Sequence, residues 1–334
     1  MSLYKNLSLS VYAFGYGCNF VSDKRKDAKL FQNLSLKDIA KICLDNNLGG
    51  LEVPVDRYFP DLNNKDLELF IDYLISQNLR LIFALENFEP EYIKKLAPII
   101  KDTGMNFVRA KVCNFYGGNR FMQKNYIEDK ENFSKKLALS MESLISNNIK
   151  VLIENHQDVT VKDIEDLIKI YGGEYIGVNW DTGNTFPTGE TIESFLKKLG
   201  NYIGNIHLKD YRLELTKKGY KMHRCELGRG VVDFHKLIPN IIKTYKTDMP
   251  FTIELGAFIA REAYINNIDY WLHTDGVSTY DQKTLINFIQ NNSKENRNNL
   301  SLWEKSESPE MIAKSEMKEV LSSIKLIKDI INNK

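Results

Sequence analysis

Residues 150–181 read KVLIENHQDVTVKDIEDLIKIYGGEYIGVNWD. The stretch opens on a short apolar run, Lys150–Glu154, and closes on another, Tyr175–Asp181. Between them Val161, Ile164, Leu167, Ile168 and Tyr171 recur at three- and four-residue spacing, which makes one apolar helix face over Val161–Tyr171. A buried strand, an amphipathic helix and a second buried strand within about thirty residues is the signature of a βα repeat feeding a parallel sheet.

The same alternation extends in both directions. Six further apolar runs are Leu7–Ala13, Gly50–Val53, Leu79–Leu85, Asn106–Lys111, Tyr202–Leu208 and Pro250–Leu255, which brings the total to eight. Lys135–Ile145 and Leu67–Ile75 carry helical periodicity, and Asn63 or Asn64 is the expected cap of the latter. Eight βα units predict an α/β protein, a closed (β/α)8 barrel built as a single domain over residues 1–334. The rival is an open doubly wound sheet. It commonly carries a G-x-G-x-x-G turn after its first strand, and none is present, nor is a P-loop.

After the eighth run, residues 257–312 form a long insertion expected to cap the active site, with a helix near Tyr280–Gln290 and a polar loop at Asn291–Asn299. Residues 313–334 are the expected closing helix, with Met317, Val320, Leu321, Ile324, Ile327 and Ile331 on one face.

Composition narrows the function classes. Lys plus Arg number 45 and Asp plus Glu 44, a net charge of +1, so non-specific nucleic-acid or anionic-membrane binding is not advertised. No apolar stretch approaches the 18 or so residues of a membrane span. Cys18, Cys43, Cys113 and Cys225 are scattered, which argues against a disulfide scaffold or zinc ribbon and makes a reducing cytoplasm the expected compartment.

Active sites of such barrels lie at the carboxyl ends of the strands. Four consecutive strands there end in Glu154, Asp181, His207 and Glu254, separated by 27, 26 and 47 residues. The first two intervals are one βα unit each; the third is one unit plus an excursion. Three carboxylates gathered on one rim repel unless some take up protons or a cation intervenes. Oxygen-rich ligands with one imidazole suit one divalent ion, Mn²⁺ first, with Mg²⁺, Co²⁺ or Zn²⁺ as alternatives.

The segments Ile153-Glu154-Asn155-His156, Trp180-Asp181-Thr182-Gly183-Asn184, Ile206-His207-Leu208-Lys209-Asp210 and Ile253-Glu254-Leu255-Gly256 resemble those of the xylose-isomerase-like TIM barrels. This is the sugar phosphate isomerase/epimerase superfamily, which includes the D-tagatose 3-epimerase type. Leu227–Phe234 resembles its Gly-x-Gly-x-x-Asp-Phe stretch after strand seven. The resemblance implies a metal held by Glu154, Asp181, His207 and Glu254, with Glu154 and Glu254 also the acid/base pair of a metal-dependent isomerase or epimerase. A metal near the carbonyl and hydroxyl oxygens of a sugar stabilises an enediolate, and two carboxylates can remove and return its proton. Other outcomes stay open: a lyase, either dehydratase or decarboxylase, that expels a group from the enediolate, an endonuclease-type phosphodiesterase, or a non-catalytic binding protein. The endonuclease branch is disfavoured, because only five histidines are present and strands two and three end in Glu52 and Glu86. The partner expected is a small carbohydrate, with homo-oligomer formation left open.

Alternate residues share a strand face, so His156 follows Glu154 and Lys209 follows His207 towards the mouth as substrate-binding candidates. Asn184 is a third, standing where some epimerases carry histidine. The D-tagatose 3-epimerase type also has an arginine six residues after its metal histidine. Here Leu213 holds that place, leaving Arg212 and Arg229 as candidate substitutes. Glu52 and Glu86 are expected to pair with Arg109 or Lys111, and Tyr12, Phe14, Tyr16 and Trp180 are candidates to line a sugar site or simply to fill core. Gly228-Arg229-Gly230 reads as a turn before helix seven, with phosphate binding as the alternative.

Overall fold

The structure is a computed structural model describing residues 6–20, 34–245, 249–256, 259–293 and 300–332. Its strands are β1 (Leu7–Ser10), β2 (Gly50–Pro54), β3 (Arg80–Ala84), β4 (Phe107–Ala110), β5 (Lys150–Glu154), β6 (Ile176–Asp181), β7 (Ile203–Leu208), β8 (Tyr211–Leu215), β9 (Tyr220–Arg224), β10 (Phe251–Ile253) and β11 (Arg261–Ala263). Eight of them, β1 to β7 and β10, close into a parallel barrel in the order β1-β10-β7-β6-β5-β4-β3-β2. The helices are α1 (Leu36–Asp45), α2 (Val55–Tyr58), α3 (Asp66–Ser76), α4 (Pro90–Asp102), α5 (Tyr126–Ser146), α6 (Val161–Tyr171), α7 (Ile192–Leu199), α8 (Phe234–Thr244), α9 (Ile268–Leu272), α10 (Thr279–Asn292) and α11 (Pro309–Asn332).

Alternation within each strand builds two layers. Leu9, Val53, Phe83, Val151, Ile153, Val178, Trp180 and Ile253 belong to the large apolar core shared with the helices. The opposite face of the same strands forms the barrel interior. Ile82, Phe107 and Leu152 make a separate small apolar cluster there. Above it lies a polar layer: Asn205 Nδ2 donates to Asn179 (2.6 Å), Thr252 Oγ1 donates to Asn205 (3.1 Å), and Ser10 Oγ donates to Glu52 (3.1 Å). The interior therefore turns from apolar to polar on the way to the mouth.

The helix of the opening stretch runs over the expected Val161–Tyr171, with a capping box in which Thr160 and Asp163 satisfy each other's backbone N–H. Elsewhere the boundaries differ for local reasons. The first run breaks after Ser10, whose hydroxyl accepts from Tyr12 N–H and caps a single 3-10 turn over Val11–Phe14. Lys65, not Asn63 or Asn64, is the cap of α3; Asn64 Oδ1 instead accepts from Asp66 N–H just outside it. The excursion between His207 and Glu254 is the β8–β9 hairpin, which joins β11 in a three-stranded antiparallel sheet. Within the 257–312 segment lie β11, α9 and α10, and the last helix begins at Pro309. Of the polar run 291–299, residues 294–299 lie outside those described, as do 257–258 and 333–334.

Candidate metal centre and substrate cavity

Parallel pairing puts Asp181 and Thr252 beside His207 in register, and Glu254 follows Thr252 by two residues on the same face. Glu154 ends β5 on the same rim. Glu154, Asp181, His207 and Glu254 are all buried, and one ligand atom from each lies within 4.8 Å of all the others.

Each member is held by neighbours. Asn155 clamps the Asp181 backbone on both sides, accepting its N–H (2.7 Å) and donating to its carbonyl (3.0 Å). Asp181 Oδ1 accepts from Gly183 N–H (3.0 Å) and Asn184 N–H (3.2 Å), and Oδ2 accepts from Asn184 Nδ2 (2.7 Å). Thr182 ties β6 to β7 by donating to Lys209 O (2.7 Å). The Asp-Thr-Gly-Asn motif is thus a mount for one carboxylate.

Glu52 sets the histidine. Its Oε2 lies 2.7 Å from His207 Nε2, which leaves Nδ1 facing Glu254 Oε2 at 3.0 Å and Glu154 Oε2 at 3.9 Å. A carboxylate behind a ligating histidine fixes its tautomer and raises its basicity. Glu52 therefore does not pair with Arg109 as expected. Arg109 instead pairs with Glu154 and donates to Leu85 O (3.3 Å), while Glu86 accepts from Tyr12 OH (3.0 Å) and Arg57 (3.3 Å). The reason is strand order: β3 stands between Glu52 on β2 and Arg109 on β4, whereas β4 pairs directly with β5, which Glu154 ends.

Lys209 Nζ bridges Asp181 Oδ2 (2.5 Å) and Glu254 Oε1 (2.7 Å). Burial disfavours all these charges, and the pairing outweighs it in most cases. Lys209 is held well above its ordinary pKa despite burial, by Asp181 and Glu254. Glu254 is held well below the carboxylate range, because Lys209 and His207 overcome its burial. Asp181 moves the other way, to about 6: burial dominates, Lys209 offsets part of it, and Glu254 and Glu154 add to the rise. His207 is raised well above 6.5, burial being outweighed by Glu52 and Glu254.

Does this set fit a divalent ion? Both Glu154 carboxylate oxygens are buried and accept no hydrogen bond among the described residues, Oε2 meeting Arg109 as an ion pair, while the buried His207 Nδ1 and Glu254 Oε2 meet each other. Buried acceptors left in this state are costly. A cation coordinated by them removes that cost, so the donor set fits.

Above the set opens a cavity of about 350 Å³, the size of a small-molecule site. Tyr12, Lys111, Tyr116, His156, Lys209 and Arg261 are among its lining residues. Two of the substrate-binding candidates, His156 and Lys209, thus line this cavity. The His156 imidazole is held well below 6.5 and neutral, first by burial and then by Lys111, Arg109 and Arg261; the Tyr116 ring lies 5.0 Å away.

Three expected contacts lie elsewhere. Asn184 is buried beneath the rim, its groups used by Asp181 and by Gln157 Nε2 (2.7 Å). Arg212 is exposed, because its neighbours Tyr211 and Leu213 take the buried face of β8. Arg229 is exposed and pairs with Glu226 at 3.1 Å. The glycine turn around it holds an internal anion instead of a phosphate. Asp210 accepts from the N–H groups of Gly228 (3.0 Å), Gly230 (2.9 Å) and Val232 (3.0 Å). Burial pushes Asp210 up to about 6 against those four-square backbone donors, Tyr211 N–H being the fourth. Of the aromatic candidates only Tyr12 reaches the cavity. Phe14 is core, Tyr16 packs edge-on against Trp303, and Trp180 stacks on Phe195 at 5.5 Å.

Sequence reasoning missed Arg261 and Tyr116 and undervalued Lys111. Lys111 follows Arg109 by two residues on the strand-four run, the same spacing that singled out His156 and Lys209. Arg261 and Tyr116 had no such signal, since the insertion and a loop bring them in.

The geometry agrees with what the chain resembles. The described residues contain no helix long and apolar enough to cross a membrane. An uncharacterized protein of Escherichia coli (strain K12), YihM, is 23% identical over 209 residues, 61% of this chain and 62% of that protein. A Mesomycoplasma hyopneumoniae (strain 7448) protein named inosose dehydratase is 25% identical over 167 residues, 45% of this chain and 56% of that one. The chain thus spans about 60% of the length of these curated relatives. Among solved structures, D-psicose 3-epimerase with D-tagatose from Clostridium cellulolyticum H10 superposes with a TM-score of 0.54 at 10% identity, covering 86% of this chain and 99% of that one. The E. coli 3-keto-D-glucoside 4-epimerase YcjR gives 0.53 at 11% identity, covering 83% and 99%. These likenesses establish the fold. Residues 91–272 match the family model of the xylose isomerase-like TIM barrel, and with the closed eight-stranded barrel around them the chain is a member of that family.

Proposed function

We propose that the protein is a divalent-metal-dependent isomerase or epimerase that moves a proton next to the carbonyl of a sugar or sugar phosphate. The observation that carries the reading is the convergence of Glu154, Asp181, His207 and Glu254, with buried donor atoms left over for a cation. Mn²⁺ suits the donor set first, with Mg²⁺, Co²⁺ or Zn²⁺ as alternatives. When bound, the ion supplies positive charge near the substrate's carbonyl and hydroxyl oxygens and so acidifies the adjacent C–H. Glu254 is the base: its carboxylate lines the cavity, held in place by Lys209 and His207. Glu154, oriented by Arg109, returns a proton, and the carbon face on which it does so sets the stereochemistry. His156, neutral and at the cavity wall, hydrogen-bonds substrate hydroxyls. The segment after the eighth barrel strand covers the site, since Gly256, Ile259 and Arg261 line the cavity.

A second reading, a dehydratase, has its own support. The Lys209 ammonium lines the cavity between Asp181 and Glu254, where it can donate a hydrogen bond to a departing hydroxyl, and the Mesomycoplasma relatives are named for dehydration of an inosose.

Solvent-deuterium exchange into a panel of ketoses by the Mn²⁺-loaded protein tests the shared first step. Wild type incorporates deuterium, and Glu254→Gln loses at least a hundredfold of the rate while melting normally. Mass spectrometry then separates the readings, since an isomer keeps the substrate mass and a dehydrated product is lighter by one water. Wild-type exchange in Glu254→Gln would remove the assigned base.

A further inference from the structure

Among the described residues, the cavity lining carries five cations, Arg57, Arg109, Lys111, Lys209 and Arg261, against two carboxylates, Glu86 and Glu254. Three of the five have partners. Arg109 is matched by Glu154, Lys209 by Asp181 and Glu254, and Arg57 by Glu86. Lys111 and Arg261 meet no carboxylate within 4.0 Å among the described residues. Both are half-buried. Holding a cation part-way out of water with no counter-charge is unfavourable, and a bound anion relieves it.

Both are also mounted facing the cavity. Lys111 lies two residues beyond Arg109, hence on the same strand face and about 7 Å nearer the mouth. Arg261 stands on β11, which pairs with β9 through Arg261 and Met222. Asn119 pins that strand to the β4–α5 loop, donating to Glu262 O (2.7 Å) and accepting from Tyr264 N–H (2.9 Å). The Arg261 guanidinium lies 3.5 Å from the Tyr116 ring centroid. A guanidinium stacked on a ring keeps its N–H edge free for a planar, two-oxygen partner.

We propose that the substrate of this site is a polyhydroxy carbonyl compound bearing an oxyanion, a carboxylate or a phosphate, which Lys111 and Arg261 hold at the cavity mouth above the Glu154–Asp181–His207–Glu254 set. The inference rests on the proposed use of this cavity and adds the charge of its occupant. The volume of about 350 Å³ suits one sugar-sized molecule.

The test is calorimetric binding to the metal-free and Mn²⁺-loaded protein, with D-fructose, D-fructose 6-phosphate, D-glucuronate and inorganic phosphate as probes. At low ionic strength at least one charged sugar binds at least tenfold tighter than D-fructose, and the advantage shrinks as salt rises. Lys111→Gln and Arg261→Gln each lose at least fivefold of that advantage without weakening D-fructose, whereas Arg212→Gln, away from the cavity, behaves as wild type. A stronger 6-phosphate than glucuronate assigns the phosphate; the reverse assigns the carboxylate. The proposal is overturned if D-fructose binds as tightly as both charged sugars, if both variants bind the charged probe as wild type does, or if no charged probe binds at 20 mM. Failure of the two readings is distinguishable. Deuterium exchange into neutral ketoses with no anion preference refutes the oxyanion alone. Anion binding that depends on Lys111 and Arg261, with no exchange into any bound sugar, refutes the enolising reaction alone.

Discussion

Glu52→Gln tests whether His207 is positioned as a ligand. Glu52 is fully buried and contacts His207 Nε2 at 2.7 Å, with Ser10 and Asn205 as further donors. Replacing it removes a charge-assisted bond from the imidazole, which contributes about 1.5–3 kcal/mol. Carboxylates behind ligating histidines affect metal affinity by about 10- to 100-fold, on the order of 1.4–2.7 kcal/mol. The dissociation constant for Mn²⁺ or Zn²⁺ at pH 8.5 should therefore rise by about 10- to 100-fold. The pH dependence supplies an independent reading. In the metal-free protein His207 is raised well above 6.5, because Glu52 and Glu254 outweigh its burial. Metal binding must displace that proton, so wild-type affinity falls as the pH is lowered, by about tenfold per unit while the proton is held. In Glu52→Gln the imidazole loses its first-ranked carboxylate, its pKa falls, and the slope between pH 6.5 and 8.5 flattens. Competition against a chelating dye measures affinity, and calorimetry in buffers of different ionisation enthalpy counts the protons released. A natively melting variant with affinity within twofold of wild type and an unchanged slope would refute the reasoning.

Three further outcomes follow from buried groups. Lys209→Met strips the cation from Asp181 and Glu254, so the metal-free variant should lose about 3–5 kcal/mol in urea unfolding and regain much of it on adding Mn²⁺; equal stability would show that the ammonium compensates nothing. Glu316 is buried and raised from 4.5 to about 7, by burial and against Arg224 and the N–H groups of Gly17 and Tyr16. Its contribution is full below about pH 4.5 and lost as the pH rises through about 7, a swing on the order of 3 kcal/mol; Glu316→Gln should flatten the stability profile between pH 5 and 8, and an unaltered profile counts against it. Gly118→Ala meets both a left-handed backbone, φ +69°, and the Pro187 carbonyl 1.7 Å from the new Cβ; a loss of about 2–4 kcal/mol in thermal melting is expected, and a neutral change would contradict the close approach.

Much of the site was legible because βα units have a characteristic length. Once strands five to eight are recognised, Glu154, Asp181, His207 and Glu254 mark the same place on each, and residues two further on share their face. By that rule His156 and Lys209 face the mouth, and both line the cavity. The same alternation read backwards points to Asn179 and Asn205 inside the barrel, and on strand four to Lys111 at the mouth. Arg212 and Arg229 lie outside the cavity for a different reason. The chain leaves the barrel immediately after β7 into an antiparallel hairpin, where alternation turns Arg212 outward, and the exposed Arg229 pairs with Glu226.

What the linear chain determined by itself is whatever repeats locally: the period of the helices, the alternation of the strands, and therefore the barrel and the identity of the residues at its rim. Pairing was decided only on closure. Glu52 reaches His207 across 155 residues, Arg109 takes Glu154 in preference to Glu52, and Asp210 fills the glycine turn whose N–H groups suit an anion. Arg261 arrives on a strand outside the barrel, where its guanidinium stacks on Tyr116 and, like Lys111, meets no carboxylate within 4.0 Å among the described residues. Local pattern follows from backbone geometry, which every few residues carry within themselves. Electrostatic partnership depends on distances of a few ångströms between segments far apart in sequence, and those exist only in the folded molecule.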